Sequence, residues 1–146
     1  PLDEEWVLRR VGNVTSFVEE AGDLVKERGI ELSAAVFADY PGCVVEVGQD
    51  WVDWCERGLL DWVAPMTYTN ITLLVQRYTR IHRALVKTTL YEGLGKRSSM
   101  SQLSPKKLLE QAKTALRERA DGVIAFCLSG MTEEDFKLLK ELKAIE

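Results

Sequence analysis

The sequence predicts an α/β fold in which a parallel four-stranded sheet of βα repeats forms half of a (β/α)8 TIM barrel. Four short, mostly apolar segments alternate with helix-like segments and begin at Ile30, Leu60, Val86 and Gly122. Their spacing, about 30 residues, is the length of one βα unit. Three of them are almost uniformly apolar, a pattern that strands tolerate when both faces are buried. A full barrel takes about 250 residues, so we expect four of its eight units. An open doubly wound sheet is the alternative topology.

A long amphipathic helix is predicted first, from Asp3 to Arg28. The Asp3 carboxylate can accept from free first-turn amides, and Gly29 can end the helix in a left-handed conformation. The apolar residues recur every three or four positions, which predicts one buried stripe: Val7, Val11, Val14, Val18, Ala21 and Val25.

Four strands follow from the apolar segments: Ile30 to Ala38, Leu60 to Tyr68, Val86 to Tyr91 and Gly122 to Leu128. Pro65 lacks a ladder donor and usually marks a strand edge or a bulge. Because Pro65 lies near the end of the second segment, we retain that strand.

Capping residues predict the crossover helices. Asp50 caps a short helix that ends at Gly58, and Ser104 followed by Pro105 opens another. Thr132 opens the last helix, with acidic residues in its first turn. Asn70 is expected to cap the remaining helix, with a buried stripe of Leu74, Tyr78, Ile81 and Leu85.

Composition narrows the function classes. Residues 1–146 form one domain by length, and 19 basic against 23 acidic side chains give a net charge of −4, which argues against a nucleic-acid partner. No apolar run reaches the roughly 18 residues of a membrane span. The chain starts at Pro1 without Met or a signal-peptide stretch, so we expect it to be cut from a longer protein.

Candidate site residues follow the carboxyl ends of the predicted strands, where parallel α/β sheets bind ligands. Aromatic faces can stack on sugar rings while amides and carboxylates pair with hydroxyls. The candidates for substrate binding are Tyr40, Gln49, Trp51, Met66, Tyr68 and Tyr91, and the candidate catalytic carboxylates are Asp39 and Glu92. A turn residue is the equal alternative for Asp39, and a core residue is the alternative for Trp51.

Other types of catalytic or cofactor site are not predicted, because the sequence lacks the residues that they need. His82 is the single histidine, and we expect it at a surface or interface, so a Ser-His-Asp triad is not predicted. The three cysteines lack metal-ligand spacing, and no dinucleotide or Walker motif occurs. We therefore expect neither a metal nor another cofactor. Paired carboxylates remain, and glycoside hydrolysis uses such a pair.

Five runs, taken together and in order, resemble the bacterial glycosyl-hydrolase-like family ten. They are LSAAVF (32–37), GQDWVDW (48–54), GLLDWVAPMTYT (58–69), EGLG (92–95) and GVIAF (122–126). The segment from Pro65 to Tyr68 is also similar to the sixth strand of chitinase-like barrels, which implies that Met66 and Tyr68 line a sugar subsite. The resemblance implies strands five to eight of an eight-stranded barrel, preceded by its fourth helix.

We therefore expect a fragment of a glycoside hydrolase that cleaves a polysaccharide or peptidoglycan-type glycan by carboxylate acid/base catalysis. The resemblance implies that the general acid usually stands on the absent fourth strand, so the fragment itself should be inactive. A non-catalytic carbohydrate-binding or interaction module is one alternative, and a complete flavodoxin-like domain is another. Open sheet edges also predict a homodimer.

Overall fold

The computed structural model describes residues 3–144, so the expected cut end at Pro1 and Leu2 lies outside the described residues. Helices and strands alternate along the chain, and short 3-10 turns occupy Leu128–Gly130 and Lys140–Ala144. The elements are α1 (Glu4–Lys26), β1 (Ser33–Phe37), α2 (Gly42–Val47), α3 (Trp51–Glu56), β2 (Trp62–Met66), α4 (Thr72–Leu85), β3 (Thr89–Gly95), α5 (Pro105–Arg117), β4 (Gly122–Phe126) and α6 (Glu133–Leu139).

The four strands form one parallel sheet in the order β1-β2-β3-β4. Each strand lies beside the one before it, whereas a doubly wound sheet reverses direction at a switch point. Right-handed crossovers that all advance the same way place their helices on one face of the sheet. The predicted α/β fold, with the arrangement of half a TIM-type barrel, is confirmed.

The two faces of the sheet have different surroundings. On the helix face, Val36, Val63 and Leu90 are fully buried together with side chains of α3. On the other, inner face, Phe37, Ile124 and Phe126 remain 50%, 38% and 46% exposed. The described helices therefore cover one face and leave the inner face open.

β3 begins three residues and ends four residues later than predicted, because a segment with glycines at 93 and 95 is typical of a loop. A Cβ at Gly93 would lie 2.7 Å from the Pro65 carbonyl oxygen, so the close approach of β2 and β3 requires glycine there. Pro65 itself lies inside β2, level with Val36 of β1. β1 is shorter than predicted and begins at Ser33.

α4 buries a different face from the one that the sequence predicts. Its buried residues are Val75, Thr79 and His82, whereas Leu74 and Ile81 of the predicted stripe are 40% and 47% exposed. Both stripes have helical spacing, and the one that carries polar side chains faces the sheet. The helix begins at Thr72 after Ile71, so Asn70 is not its cap. The short helix α2 was not predicted.

A buried ion pair joins α6 to the end of β3. Lys96 donates from Nζ to Asp135 Oδ1 and to the Leu103 carbonyl, each at 2.8 Å. Asp135 also accepts from the backbone and hydroxyl of Thr132 in a capping box. Burial opposes ionisation of Asp135, but the hydrogen bonds from Lys96 and Thr132 outweigh it and lower the pKa of the carboxyl.

We expect Asp135→Asn to destabilise the chain at neutral pH and to matter less in acid. A lowered folded-state pKa contributes stability above the unfolded value of about 3.9, and this contribution is lost as the pH falls through the folded pKa. Urea denaturation at about pH 7 and about pH 3 measures the difference in free energy of unfolding between variant and wild type. The difference should shrink in acid. Glu133→Gln, exposed in the same turn, is the control, and a gap that stays constant with pH contradicts the prediction.

Candidate functional site

A cleft of about 580 Å³ opens at the carboxyl ends of β1 and β2, at the edge where the sequence predicts ligand binding. Its walls combine aromatic and thioether side chains with hydroxyls and one carboxylate. The lining residues are Phe37, Ala38, Asp39, Met66, Thr67, Tyr68, Thr69, Leu74, Tyr78, Ser99 and Met100. The structure therefore brings three predicted residues, Asp39, Met66 and Tyr68, into one cavity.

Asp39 lies in a turn, as one of the two alternatives predicts, and it also lines the cleft. Its carbonyl accepts from the Cys43 amide at 2.8 Å, and its carboxylate covers Gly42 so closely that a Cβ there would overlap it. This turn leads from β1 into α2. The side chain is nevertheless exposed and is the only carboxylate among the lining residues of the cleft.

Tyr68 and Met66 form an apolar wall of the cleft. The Tyr68 ring stacks on Phe126 with a centroid separation of 5.4 Å and an interplanar angle of 18°. Burial, and secondarily the Cys127 thiol, raise the pKa of the Tyr68 phenol. The group therefore remains a hydroxyl at neutral pH and can donate or accept hydrogen bonds.

Gln49 and Trp51 do not line the cleft but hold the end of β1. Gln49 Oε1 accepts from the Phe37 amide at 2.9 Å, and Trp51 Nε1 donates to the Phe37 carbonyl at 3.1 Å. Trp51 is fully buried, so the core alternative describes its position and no ring face is available to a sugar.

Tyr40 and Tyr91 also lie outside the lining of the cleft. The Tyr40 hydroxyl donates to Asp50 Oδ1 at 3.0 Å, and burial followed by this bond raises the pKa of Tyr40 to about 12. Tyr91 belongs to β3, level with Gly122 of β4, and its ring meets Trp62 edge-on at 5.3 Å. Neither side chain contributes to the cavity.

The prediction that Glu92 lies on the rim beyond β3 is wrong. It lies within β3 between Leu90 and Leu94, on the helix face, and is fully buried. Its Oε2 atom lies 3.1 Å from His82 Nδ1, and the Thr67 hydroxyl donates to Oε1. The structure therefore does not bring Asp39 and Glu92 together as a pair that faces one ligand.

His82 was expected at a surface or an interface and is instead fully buried on α4. Its Nε2 atom donates to the Ala38 carbonyl at 2.9 Å, and Tyr78 stacks on the ring with centroids 5.7 Å apart. The alternation of Leu90, Glu92 and Leu94 could have revealed this site, because a carboxylate in an apolar row needs a buried partner.

Comparisons with known proteins leave the family open. No protein-family model matches the chain, and no curated protein matches it in sequence. Within residues 3–142, no three His, Cys, Asp or Glu side chains come together as a metal site would require. None of the helices that the structure describes is long and apolar enough to cross a membrane.

The chemistry available in the cleft is that of binding. Aromatic rings and thioethers can cover the apolar faces of a sugar, while Asp39 and the hydroxyls of Thr69 and Ser99 can pair with its hydroxyl groups. Most glycosidases use two carboxyl groups, which lie about 5–5.5 Å apart in retaining enzymes and about 6.5–9.5 Å apart in inverting enzymes. The described lining supplies one of them.

Proposed function

We propose that the chain is the sugar-binding carboxyl-terminal half of a glycoside-hydrolase-type (β/α)8 barrel, with the cleft beside Asp39 as its glycan site. The observation that carries the proposal is the combination of Phe37, Tyr68 and Tyr78 with a carboxylate in one cavity at the carboxyl ends of the strands. The five runs that resemble glycosyl-hydrolase-like family ten support the same conclusion.

In a complete barrel of this type, Asp39 is the carboxylate that this half contributes to acid/base catalysis. The second carboxylate comes from the complementary half, because Glu92 is enclosed behind the sheet. The chain alone binds a glycan and does not hydrolyse it. A non-catalytic carbohydrate-binding module is the second candidate, and the single carboxylate in the cleft favours it.

The helices that flank the sheet indicate what covers its inner face. α1 packs beside α2 at the β1 side, and α6 packs against α5 at the β4 side. An eight-stranded barrel has one helix for each gap between strands. If two copies of the chain closed into one barrel, α1 of one copy and α6 of the other would occupy the same gap between strands. We therefore favour a complementary half with four strands and only the three helices between them. The homodimer through open sheet edges stays a prediction.

Tyr68→Ala and Asp39→Asn are each expected to weaken binding of chitotetraose by about tenfold. The first removes a stacking ring, and the second a charged acceptor, each at a cost near 1.4 kcal/mol. Calorimetric or NMR titration of the chain measures the affinity. Glu31→Gln is the matched control, because this exposed carboxylate precedes the same strand that Asp39 follows. Absence of binding to chitotetraose and to cellotetraose contradicts the proposal.

The two candidate functions predict different results for a protein that contains all eight strands of the barrel. There, hydrolysis of the bound glycan that Asp39→Asn abolishes supports the hydrolase. Binding of the glycan with no turnover in the unsubstituted protein supports the non-catalytic module.

A further inference from the structure

The His82–Glu92 dyad lies directly behind the floor of the cleft, and three of the lining residues touch it. His82 Nε2 donates to the carbonyl of Ala38 at 2.9 Å, and the Thr67 hydroxyl donates to Glu92. The Tyr78 ring stacks on His82. Both members of the dyad are fully buried, so neither can touch a ligand in the cleft.

The hydrogen-bond partners of the dyad determine where its protons lie. A carbonyl oxygen only accepts, so Nε2 of His82 carries a proton. The 3.1 Å separation of His82 Nδ1 and Glu92 Oε2 requires one proton between them, because two facing lone pairs repel. Thr67 donates to the other oxygen of Glu92. Each imidazole nitrogen and each carboxyl oxygen thus has a partner inside the protein.

We propose that the His82–Glu92 dyad is a positioning element that sets the sugar-binding geometry of the cleft. Ala38 immediately precedes Asp39, and Thr67 immediately precedes Tyr68, so the dyad links the strand ends that present both site residues. Binding sites tolerate displacements of only about 0.5 Å in the groups that hold the ligand. This inference rests on the proposed function for its ligand, but the linkage between the two strand ends is a property of the chain itself.

Two substitutions of His82 separate positioning from packing. In His82→Gln the amide nitrogen can take the place of Nε2 and donate to Ala38, whereas in His82→Asn the amide lies near the position of Nδ1 and reaches only Glu92. Both variants lose the ring that packs against Trp51 and Tyr78. His82→Gln keeps the bond to Ala38 but leaves Glu92 without its imidazole partner, so we expect the Asp39 amide shift to stay near wild type and the Tyr68 shift to move. His82→Asn keeps a partner for Glu92 but loses the bond to Ala38, so we expect it to displace the Asp39 amide shift more than the Tyr68 shift and to weaken chitotetraose binding about tenfold.

The imidazole itself gives a spectroscopic test that needs no substitution. His82 is the chain's single histidine, so its ring nitrogen resonances are assigned without ambiguity. We expect a proton on Nε2 that is protected from exchange with water. Glu92→Gln should preserve it, because the new amide can donate to Nδ1 while its oxygen accepts from Thr67.

The outcomes separate the two proposals. Absence of a proton on Nε2 in the wild-type chain overturns the positioning inference, even if both His82 variants fail to fold. Unchanged Asp39 and Tyr68 amide shifts in a folded His82→Asn variant also overturn it. If the shifts respond as expected but the wild-type chain binds neither chitotetraose nor cellotetraose, the proposed function fails and the positioning inference stands.

Discussion

Glu92→Ala is expected to lower the free energy of unfolding by about 3–5 kcal/mol, the cost of breaking a buried charged or hydrogen-bonded pair by removing one partner. The substitution leaves His82 Nδ1 and the Thr67 hydroxyl without their partner in a region that excludes water. Urea denaturation monitored by tryptophan fluorescence measures the effect.

Glu92→Gln is the matched control for the loss of stability expected in Glu92→Ala. It has nearly the same shape and can hydrogen-bond to both His82 and Thr67, so we expect a markedly smaller loss than in the alanine variant. A surface carboxylate that acts only on substrate would behave differently, because its replacement leaves stability within about 0.5 kcal/mol of wild type. Equal stability of Glu92→Ala and wild type would contradict the buried dyad.

Trp51→Ala is expected to lower the free energy of unfolding by about 3–5 kcal/mol, which is typical of removing a buried aromatic side chain. Trp51 is fully buried, contacts the rings of Tyr40 and His82 edge-on, and bonds to the Phe37 carbonyl. The alanine variant leaves a cavity and an unpaired carbonyl at the end of β1. Thermal and urea denaturation report the loss.

Trp6→Ala provides the control for Trp51→Ala. Trp6 lies on α1 and is 58% exposed, so its replacement should change the free energy of unfolding by no more than about 0.5 kcal/mol. Similar losses in the two variants would mean that Trp51 is not the core residue that its position indicates.

Local signals predicted the elements well, because they depend on neighbouring residues alone. The Asp3, Ser104 and Thr132 side chains accept from the first-turn amides of α1, α5 and α6, as their positions predicted. All six residues of the predicted stripe on α1 are half-buried. The spacing of the apolar segments was sufficient to predict four parallel strands.

The candidate site was predicted less well, because it depends on which face of an element a residue occupies. The α4 sequence has two stripes with helical spacing, and the buried one includes His82, which bonds to a carbonyl 44 positions earlier in the chain. The sequence predicts Glu92 beyond the strand because Gly93 and Gly95 are typical of a loop, whereas both belong to β3. Asp39, Met66 and Tyr68 were predicted correctly as neighbours because parallel strands end at a common edge.

Gly93 is the one position in its row on the inner face of the sheet that has no side chain. It lies between Met66 and Ile124 in one row across the sheet, so that row has a gap in its side chains. Barrel interiors are filled in layers by side chains from alternate strands. In a closed barrel, we expect the facing strands to carry a large side chain opposite Gly93.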